Sequence, residues 1–318
     1  MPAENRILIT GATGFVGGWL QRELATRAQS TRVEVFAAGH GKSSARNLDI
    51  TDYDQVSRLI HEVRPTAVIH LAAVAAPAEA RDAPKRAWDV NLNGTMNLAY
   101  AVLESAPEAR FVFTSSSEVY GASFNDVPGA PVTENAVLKP MNVYGATKAA
   151  ADILVGQLAR DGLKSIRFRP FNHTGPGQSD AYVVPAFAKQ VAEISAGLSP
   201  AVINVGNLLA YRDFLDVRDV VRAYADAALL EVPEAYGQVF NLASGRVHQI
   251  GAVLDTLIRL SGLAVEIRVD PSRLRKAEVA TACGSAEAAL RVFRWHTEIN
   301  FEETLSGVLD DWKCRAGG

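Results

Sequence analysis

Short apolar runs alternate with amphipathic stretches through the first half of the chain. The apolar runs are continuous, which is typical of strands that are covered on both faces of a sheet. Strands and helices that alternate at this spacing predict right-handed βαβ crossovers and a doubly wound parallel sheet, in the α/β class. The predicted strands are Arg6–Thr10, Val33–Ala37, Ala67–Leu71, Phe111–Ser115 and Ser165–Arg169. The predicted helices are Phe15–Arg27, Asp52–Val63, Arg86–Glu104 and Asn142–Arg160.

The pattern loosens after Pro170, where a segment rich in glycine and proline interrupts it. We expect residues 1–171 to form the sheet domain, with a segment at about 211–244 that returns to it. A smaller C-terminal α/β lobe, which would bind substrate, is expected from residues 172–210 and 245–318. The helices predicted after Pro170 are Pro185–Ala196 and Val217–Leu230, and the strands are Tyr211–Leu215, Val239–Leu242 and Val265–Val269.

Composition and charge narrow the classes of function. The net charge of −3 over 318 residues disfavours nucleic acid as a partner, because nucleic-acid binding requires a basic surface. The N-terminus lacks the apolar core of a signal peptide, and no uncharged apolar run reaches the roughly 18 residues of a membrane span. Cys283 and Cys314 form no CxxC pair, so neither a disulfide framework nor a metal site is predicted. We expect a cytoplasmic protein without a membrane partner.

A glycine-rich loop lies between the first predicted strand and the first predicted helix. Glycines at this place let the backbone approach a pyrophosphate, and the helix N-terminus offers unpaired N–H groups and the positive end of a dipole. The loop therefore predicts a dinucleotide site on a Rossmann-like sheet. Its spacing is GxxGxxG, and the residues expected to contact the cofactor are Gly11, Thr13, Gly14, Phe15, Val16 and Gly17.

The end of the second strand bears on the choice of cofactor. An acidic residue at this position binds the ribose 2′-hydroxyl of NAD and repels the 2′-phosphate of NADP. The segment Phe36–Lys42 contains no acid, and His40 and Lys42 favour a phosphate. The prediction is NADP(H), with NAD(H) as the other candidate.

Tyr144 and Lys148 form a YxxxK pair on a predicted helix. Side chains four residues apart lie on the same face of a helix. A nearby ammonium favours the phenolate, so we expect Lys148 to lower the pKa of Tyr144 from about 10. Tyr144 would then serve as a general acid or base.

The order of these motifs resembles the extended short-chain dehydrogenase/reductases, which include sugar-nucleotide epimerases, dehydratases and reductases. The resemblance covers essentially the whole chain. It implies that Ser116, in the segment Thr114–Gly121, is the hydroxyl that hydrogen-bonds the reacting oxygen. Ser115 or Ser117 would take this role if the register differs by one residue.

The resemblance also implies further cofactor contacts. Asp49 and Ile50 match the family's pair that contacts adenine, and His70–Ala73 matches its cofactor motif on the third strand. Asn91–Thr95 matches the entry to its fourth helix. Beyond the glycine loop, the cofactor residues implied are His40, Asp49, Ile50, Leu71, Ala72, Ala73, Tyr144 and Lys148.

The second half of the chain resembles the GDP-4-dehydro-6-deoxy-D-mannose reductases, in the segments Arg169–Gln178, Arg212–Asp219 and Asp270–Arg275. This resemblance implies a nucleotide-diphosphate sugar as the small-molecule partner, with GDP favoured. Arginines can form bidentate, charge-assisted bonds to its phosphates. The substrate-binding residues expected are Ser117, Asn172, Lys189, Arg212 and Arg273, with Arg275 as the alternative to Arg273.

The expected reaction is the transfer of hydride from NAD(P)H to C4 of a 4-keto-6-deoxyhexose, which would convert GDP-4-dehydro-6-deoxy-D-mannose to GDP-D-rhamnose. If Glu118 acts as an acid or base, the chain is instead a GDP-mannose 4,6-dehydratase. The remaining alternatives are an epimerase or reductase of another nucleotide sugar and a non-catalytic NADP-sensing protein. A homodimer is expected, with Ala150, Leu154 and Leu158 on its apolar helix face.

Overall fold

The computed structural model describes residues 5–40, 46–126, 128–273 and 279–317, without the side chain of Arg273. The strands are β1 Asn5–Thr10, β2 Val33–Gly39, β3 Arg46–Asn47, β4 Ala67–His70, β5 Arg110–Thr114, β6 Lys164–Pro170, β7 Asn172–Thr174, β8 Val202–Val205, β9 Tyr211–Asp216, β10 Val239–Leu242, β11 Val247–Gln249, β12 Glu266–Val269 and β13 Thr281–Ala282. The α-helices are α1 Phe15–Arg27, α2 Tyr53–Val63, α3 Pro77–Asp82, α4 Pro84–Trp88, α5 Gly94–Ser105, α6 Val143–Leu158, α7 Val183–Ser195, α8 Val217–Leu229, α9 Ile250–Ser261, α10 Glu287–Phe293 and α11 Phe301–Gly317.

Seven parallel strands form the main sheet, in the order β10-β6-β5-β4-β1-β2-β3. β1 lies between β2 and β4, with Thr10 opposite Ala38 of β2 and His70 of β4. One face is covered by α1 and α8, and the other by α2, α5 and α6, through two separate clusters of buried apolar side chains. The predicted doubly wound parallel sheet is thus confirmed. The strand order reverses beside β1, and ligands of such sheets bind at the carboxyl ends of the strands at this point.

The C-terminal half adds two small sheets beside the carboxyl ends of the main strands. One sheet has the order β11-β9-β13, with β7 also paired to β9, and the other pairs β12 with β8. Their apolar core packs against α7, α9 and α11, and it includes Ile203, Val205 and Phe214. The division of the chain into a sheet domain and a substrate lobe stays a prediction.

The segment 211–244 was expected to return to the main sheet, and the structure separates its parts. α8 packs on the main sheet, and β10 pairs with β6 at its edge. β9, in contrast, lies in the four-stranded small sheet between β11 and β13. Because β10 is the neighbour of β6, the main sheet has no place for β9 beside that strand.

The predicted helix Arg86–Glu104 contains a π-helical turn at Asp89–Asn93, between α4 and α5. The Asn91 side chain lies inside this turn and is fully buried. Its amide donates to the carbonyl of Val74 at 3.1 Å and to the hydroxyl of Thr147 at 2.9 Å, and its oxygen accepts from the Val74 N–H at 2.8 Å. The turn therefore joins the chain after β4 to α6. Such turns are frequent at functional sites.

The helix face predicted to form a dimer is turned inward. Leu158 is fully buried in the core beneath α6, and Leu154 packs against the same cluster. Ile153, on the outer face of α6, is 62% exposed. Leu154 and Leu158 therefore cover the protein's own sheet, whereas Ala150 is partly buried, and the homodimer stays a prediction. Among the described residues, no helix has the length and apolar character needed to cross a membrane.

Candidate active site

A cavity of about 1300 Å³ lies at the carboxyl ends of the main strands, between the sheet and the C-terminal elements. Pockets for one small molecule enclose roughly 300–1,000 Å³, so this cavity has room for more than one ligand. The glycine loop and the end of β4 line it on the sheet side. The start of α7 and part of β9 line it on the other side.

The glycine loop has the shape that close approach of a diphosphate requires. Gly11 has φ +72°, and a Cβ at this position would lie 2.6 Å from the backbone nitrogen of Ala72. No side chain of the described residues caps α1, and no acidic residue lies in its first turn. The N–H groups of this turn therefore remain available to an anion. All the predicted loop residues line the cavity, namely Gly11, Thr13, Gly14, Phe15, Val16 and Gly17.

The remaining predicted cofactor residues line the same cavity, namely His40, Asp49, Ile50, Leu71, Ala72 and Ala73. The Asp49 carboxylate accepts from the backbone N–H of Thr51 at 3.0 Å and from its hydroxyl at 2.7 Å. These bonds lower the pKa of Asp49, so it stays ionised within its own turn. Lys42, the other residue expected to favour a phosphate, lies outside the described residues.

Ser116, Tyr144 and Lys148 meet in the wall of this cavity. Lys148 is 3% exposed, and its ammonium donates to the carbonyl of Thr114 at 2.8 Å. The Ser116 oxygen accepts from the N–H of Glu118 at 3.1 Å, and the Ser116 and Tyr144 side chains line the same cavity. The loop that follows β5 therefore supplies the serine, and α6 supplies the tyrosine and the lysine.

The pKa of Tyr144 moves in the direction opposite to our expectation. Burial raises it above its ordinary value, and the Ser116 hydroxyl opposes the rise only in part. Burial also lowers the pKa of Lys148 to about 8, against the opposing attraction of Asp152. Loss of water at the cavity wall thus sets the direction of both pKa shifts. Tyr144 is held as a neutral phenol, which is a proton donor.

Glu118 and Ser117 also line the cavity. The amide nitrogen of Asn142 donates to the Glu118 carboxylate at 2.8 Å. Asn142 is the N-cap of α6, since its side-chain oxygen accepts from the N–H of Gly145 at 2.8 Å. One asparagine therefore fixes both the start of the helix that carries Tyr144 and the orientation of the neighbouring carboxylate.

The residues expected to bind substrate divide into two groups. Asn172 and Arg212 line the cavity. Lys189 is absent from the lining formed by the described residues. Its ammonium lies 2.7 Å from the Asp180 carboxylate and 5.8 Å from the centre of the Trp312 ring. Lys189 therefore contacts Asp180, a residue of the cavity lining, and is not itself among the described lining residues. Its side chain points from α7 toward Trp312 of α11.

The side chain of Arg273 and the whole of Arg275 lie outside the described residues. Their predicted contact with a phosphate stays a prediction.

Other side chains in the lining were not singled out from the sequence, namely Glu79, Arg86, His173 and Tyr182. They come from three separate stretches of the chain. His173 lies within the segment Arg169–Gln178 that the sequence pointed to, and no motif marks the other three. The Nδ1 atom of His173 lies 3.0 Å from the carbonyl of Phe171, so Nδ1 carries the proton in the neutral ring.

Comparison with known proteins decides the family. A family model described as GDP-mannose 4,6 dehydratase matches residues 8–308. The chain belongs to this family. Over 312 residues it is 35% identical to the GDP-6-deoxy-D-mannose reductase of Pseudomonas aeruginosa, covering 98% of both sequences. The family resemblance inferred from the motifs is thus confirmed.

Solved structures agree with this family membership. The structure of RMD from Pseudomonas aeruginosa complexed with NADPH superposes with a TM-score of 0.86 at 32% identity, over 98% of this chain and 99% of that one. A UDP-glucose 4-epimerase from Thermus thermophilus in complex with NAD gives 0.82 at 27% identity, over 97% and 99%. Proteins named as a reductase and as an epimerase therefore share this fold, and the assignment of a reaction depends on the residues of the cavity.

Proposed function

We propose that this protein reduces the C4 keto group of GDP-4-dehydro-6-deoxy-D-mannose with NADPH, to form GDP-D-rhamnose. The observation that carries the proposal is the presence of Ser116, Tyr144 and Lys148 in the wall of a cavity that the glycine loop also lines. Reduction of a ketone requires a proton donor at the developing alkoxide, and the phenol of Tyr144 can supply that proton. The likeness to a GDP-6-deoxy-D-mannose reductase supports the choice of sugar.

The residues present fit a nicotinamide dinucleotide. Gly11 leaves room for a diphosphate where a Cβ would collide with Ala72, and the uncapped start of α1 faces the same space. Bound NADPH supplies the hydride. The absence of an acid from the described end of β2, with His40 in the cavity lining, favours NADPH, as does the similarity to the NADPH complex of RMD. NAD(H) is the alternative, since the similar epimerase was solved with NAD.

Side chains of the protein bind the substrate and supply the proton. The Ser116 hydroxyl holds the keto oxygen, and Tyr144 donates its proton to that oxygen as negative charge develops. Lys148, anchored on the Thr114 carbonyl, supplies a positive charge near the reacting groups. Arg212 pairs with the diphosphate of the substrate and Asn172 binds its phosphate or ribose, since both residues line the cavity.

The test is an assay of NADPH oxidation with 4-keto-6-deoxy sugars linked to GDP, dTDP and UDP. We expect oxidation with the GDP-linked sugar. Tyr144→Phe should lower kcat by about 10²- to 10⁴-fold, because it removes the proton donor, while the Kd for NADPH stays within twofold or so. Full activity of Tyr144→Phe would refute the mechanism, and no oxidation with any of the three sugars would refute the reductase.

Cofactor preference can be measured by thermal unfolding. A ligand that binds only the folded protein stabilises it by RT ln(1 + [L]/Kd), so the cofactor with the lower Kd gives the larger increase in Tm at equal concentration. We expect a larger increase with NADPH than with NADH. An equal increase with both would contradict the assignment to NADPH.

A GDP-mannose 4,6-dehydratase is the second candidate, because Glu118 lines the cavity together with Ser116, Tyr144 and Lys148. A dehydratase would consume GDP-mannose without net oxidation of added NADPH. Product analysis after incubation with GDP-mannose distinguishes the two reactions. If GDP-mannose is converted and Glu118→Gln abolishes the conversion, Glu118 is the acid or base of a dehydratase. If GDP-mannose is unchanged, the dehydratase is excluded.

A further inference from the structure

Tyr182 approaches the cavity from the side opposite the main sheet. It is the N-cap residue of α7 and forms part of the cavity lining. The side chain is half-buried, and its hydroxyl makes no hydrogen bond to any residue within 5–40, 46–126, 128–273 or 279–317. A phenol both donates and accepts hydrogen bonds, so this hydroxyl is available to a ligand.

The backbone of Tyr182 is held firmly. Its carbonyl accepts from the N–H of Ala186 at 2.9 Å, in the first turn of α7. That helix is anchored by the buried side chains of Val184, Phe187 and Ala188. Since the backbone is fixed by a packed helix, the phenol occupies a defined place in the wall of the cavity.

Electrostatic interactions link Tyr182 to two groups of the cavity on other elements. Tyr144 of α6 and Tyr182 are close enough that Tyr182 contributes to the raised pKa of Tyr144. Glu79 of α3, which also lines the cavity, contributes to the raised pKa of Tyr182, after burial. Tyr144 packs against the apolar cluster that includes Ala80 of α3, the neighbour of Glu79. Glu79, Tyr144 and Tyr182 all line the cavity. The two phenols therefore border this part of the cavity, one on the sheet side and one on the side of α7.

This neighbourhood identifies which part of the ligand Tyr182 meets. Under the proposed function, on which this inference rests, Tyr144 touches the reacting carbonyl at C4 of the hexose. The diphosphate separates the hexose from the nucleoside, so the base lies well away from Tyr144. The nicotinamide cofactor lies along the main sheet and the glycine loop. What remains beside both phenols is the hexose ring.

We propose that the hydroxyl of Tyr182 binds a ring hydroxyl of the hexose and positions the sugar against Tyr144 and Ser116. Tyr182 is thus a substrate-positioning residue supplied by α7. Because it contacts the sugar alone, its loss weakens binding of a nucleotide sugar and leaves binding of the free nucleotide unchanged.

The experiment compares GDP with GDP-mannose as ligands of Tyr182→Phe, in the presence of NADP⁺, by isothermal titration calorimetry. A single neutral hydrogen bond corresponds to about a three- to tenfold change in Kd, so we expect Tyr182→Phe to weaken GDP-mannose by that factor. The Kd for GDP should not change. In turnover of the 4-keto sugar, KM should rise more than kcat falls.

Two control variants define the meaning of this result. Tyr236→Phe removes a hydroxyl that bonds Glu231 at 2.7 Å, away from the cavity lining, and should change neither Kd. Arg212→Gln should weaken both ligands, because its guanidinium is assigned to the diphosphate that both contain. Tyr182→Phe removes a single oxygen from a half-buried side chain, so its Tm should equal that of the wild-type protein.

Each outcome decides between the two proposals. If Tyr182→Phe leaves GDP-mannose unchanged, or weakens GDP and GDP-mannose equally, the sugar contact is wrong. If the wild-type protein binds both ligands but oxidises no NADPH with the GDP-linked 4-keto sugar, the reductase fails while the contact is still decided by the two Kd values. If the wild-type protein binds neither ligand, both proposals fail.

Discussion

Burial in the cavity wall raises the pKa of Tyr144 and lowers the pKa of Lys148. It favours the neutral form of each group, so the phenol retains its proton and the ammonium loses its proton more easily. Asp152, one turn further along α6, opposes the effect on Lys148. His70 is neutral at ordinary pH, because burial and the charge of Lys148 lower its pKa to about 3. The pKa of Lys148 is therefore set by burial, which lowers it, and by Asp152, which raises it.

We expect activity to fall as the pH rises above about 8, because Lys148 loses its charge near this pH. The measurement is the pH dependence of kcat/KM at constant ionic strength. The folded pKa of Lys148 lies below the ordinary value of 10.5, so the unfolded chain binds the proton more tightly between these two pH values. This group therefore makes the folded state more stable as the pH rises from 8 to 10.5.

Unfolding measured by denaturant over the same pH range is the control. A fall in kcat/KM without a fall in the free energy of unfolding supports titration of Lys148. A kcat/KM that stays constant to about one pH unit above the pKa of Lys148 would contradict the role of its charge.

Several residues of the candidate active site lie at the starts of helices rather than in their middles. α1 begins where the backbone of the glycine loop turns, and α6 begins at Asn142, which also holds Glu118. The π-helical turn brings Asn91 between the chain after β4 and α6. The first N–H groups of α1 have no side-chain cap among the described residues, whereas Asn142 accepts from the N–H of Gly145 at the start of α6. The tightest of these contacts is between α1 and the glycine loop.

Two neighbouring glycines of α1 allow a matched test of this contact. A Cβ at Gly17 would lie 2.6 Å from the carbonyl oxygens of Gly11 and Ala12, whereas a Cβ at Gly18 meets nothing within 4 Å. We expect Gly17→Ala to destabilise the protein by about 1–3 kcal/mol and to raise the Kd for NADPH about tenfold, because it displaces the loop.

Gly18→Ala should instead stabilise the fold by up to about 1 kcal/mol, since alanine is the better helix former. Denaturant unfolding and titration with NADPH measure both effects. Equal behaviour of the two variants would show that the contact with the loop is unimportant.

A cluster of buried charged side chains connects α6 and β6 behind the candidate active site. The Asp152 carboxylate is fully buried and pairs with Arg167 at 2.8 Å and Arg169 at 2.9 Å. Arg169 also donates to the Tyr120 hydroxyl at 3.0 Å, near the end of β6 where the chain leaves the main sheet. The pKa of Asp152 is lowered by these guanidinium groups against the opposing effect of burial. The cluster thus connects α6, β6 and the segment after β5.

We expect Asp152→Asn to lower the free energy of unfolding by about 3–5 kcal/mol, because it leaves two guanidinium groups without a buried counter-charge. Asp126→Asn is the control, since its pair with Lys139 at 2.7 Å is exposed on both sides. An exposed pair contributes at most about 1 kcal/mol. Urea unfolding of both variants is the measurement, and losses of similar size would contradict the role assigned to the buried cluster.

Local pattern was sufficient for most elements of the main sheet. The helix Phe15–Arg27 has the predicted bounds, and the predicted strands differ from the observed ones by one or two residues at their ends. The π-helical turn was missed, because one extra residue per turn hardly changes the spacing of apolar positions. The pairing of β9 was missed because periodicity shows that a segment is a strand and carries no information about its neighbour.

The sequence by itself determined the parallel sheet, the glycine loop and the YxxxK pair of Tyr144 and Lys148, because each depends on residues close together in the chain. Ser116 followed from the family resemblance, and the structure places it in the same cavity wall as that pair. Tertiary structure alone decided which side chains reach the cavity from elsewhere. It turned Lys189 away to Asp180 and brought Tyr182 to the cavity lining. It also reversed the expected pKa of Tyr144, because the loss of water around a side chain depends on every element packed around it.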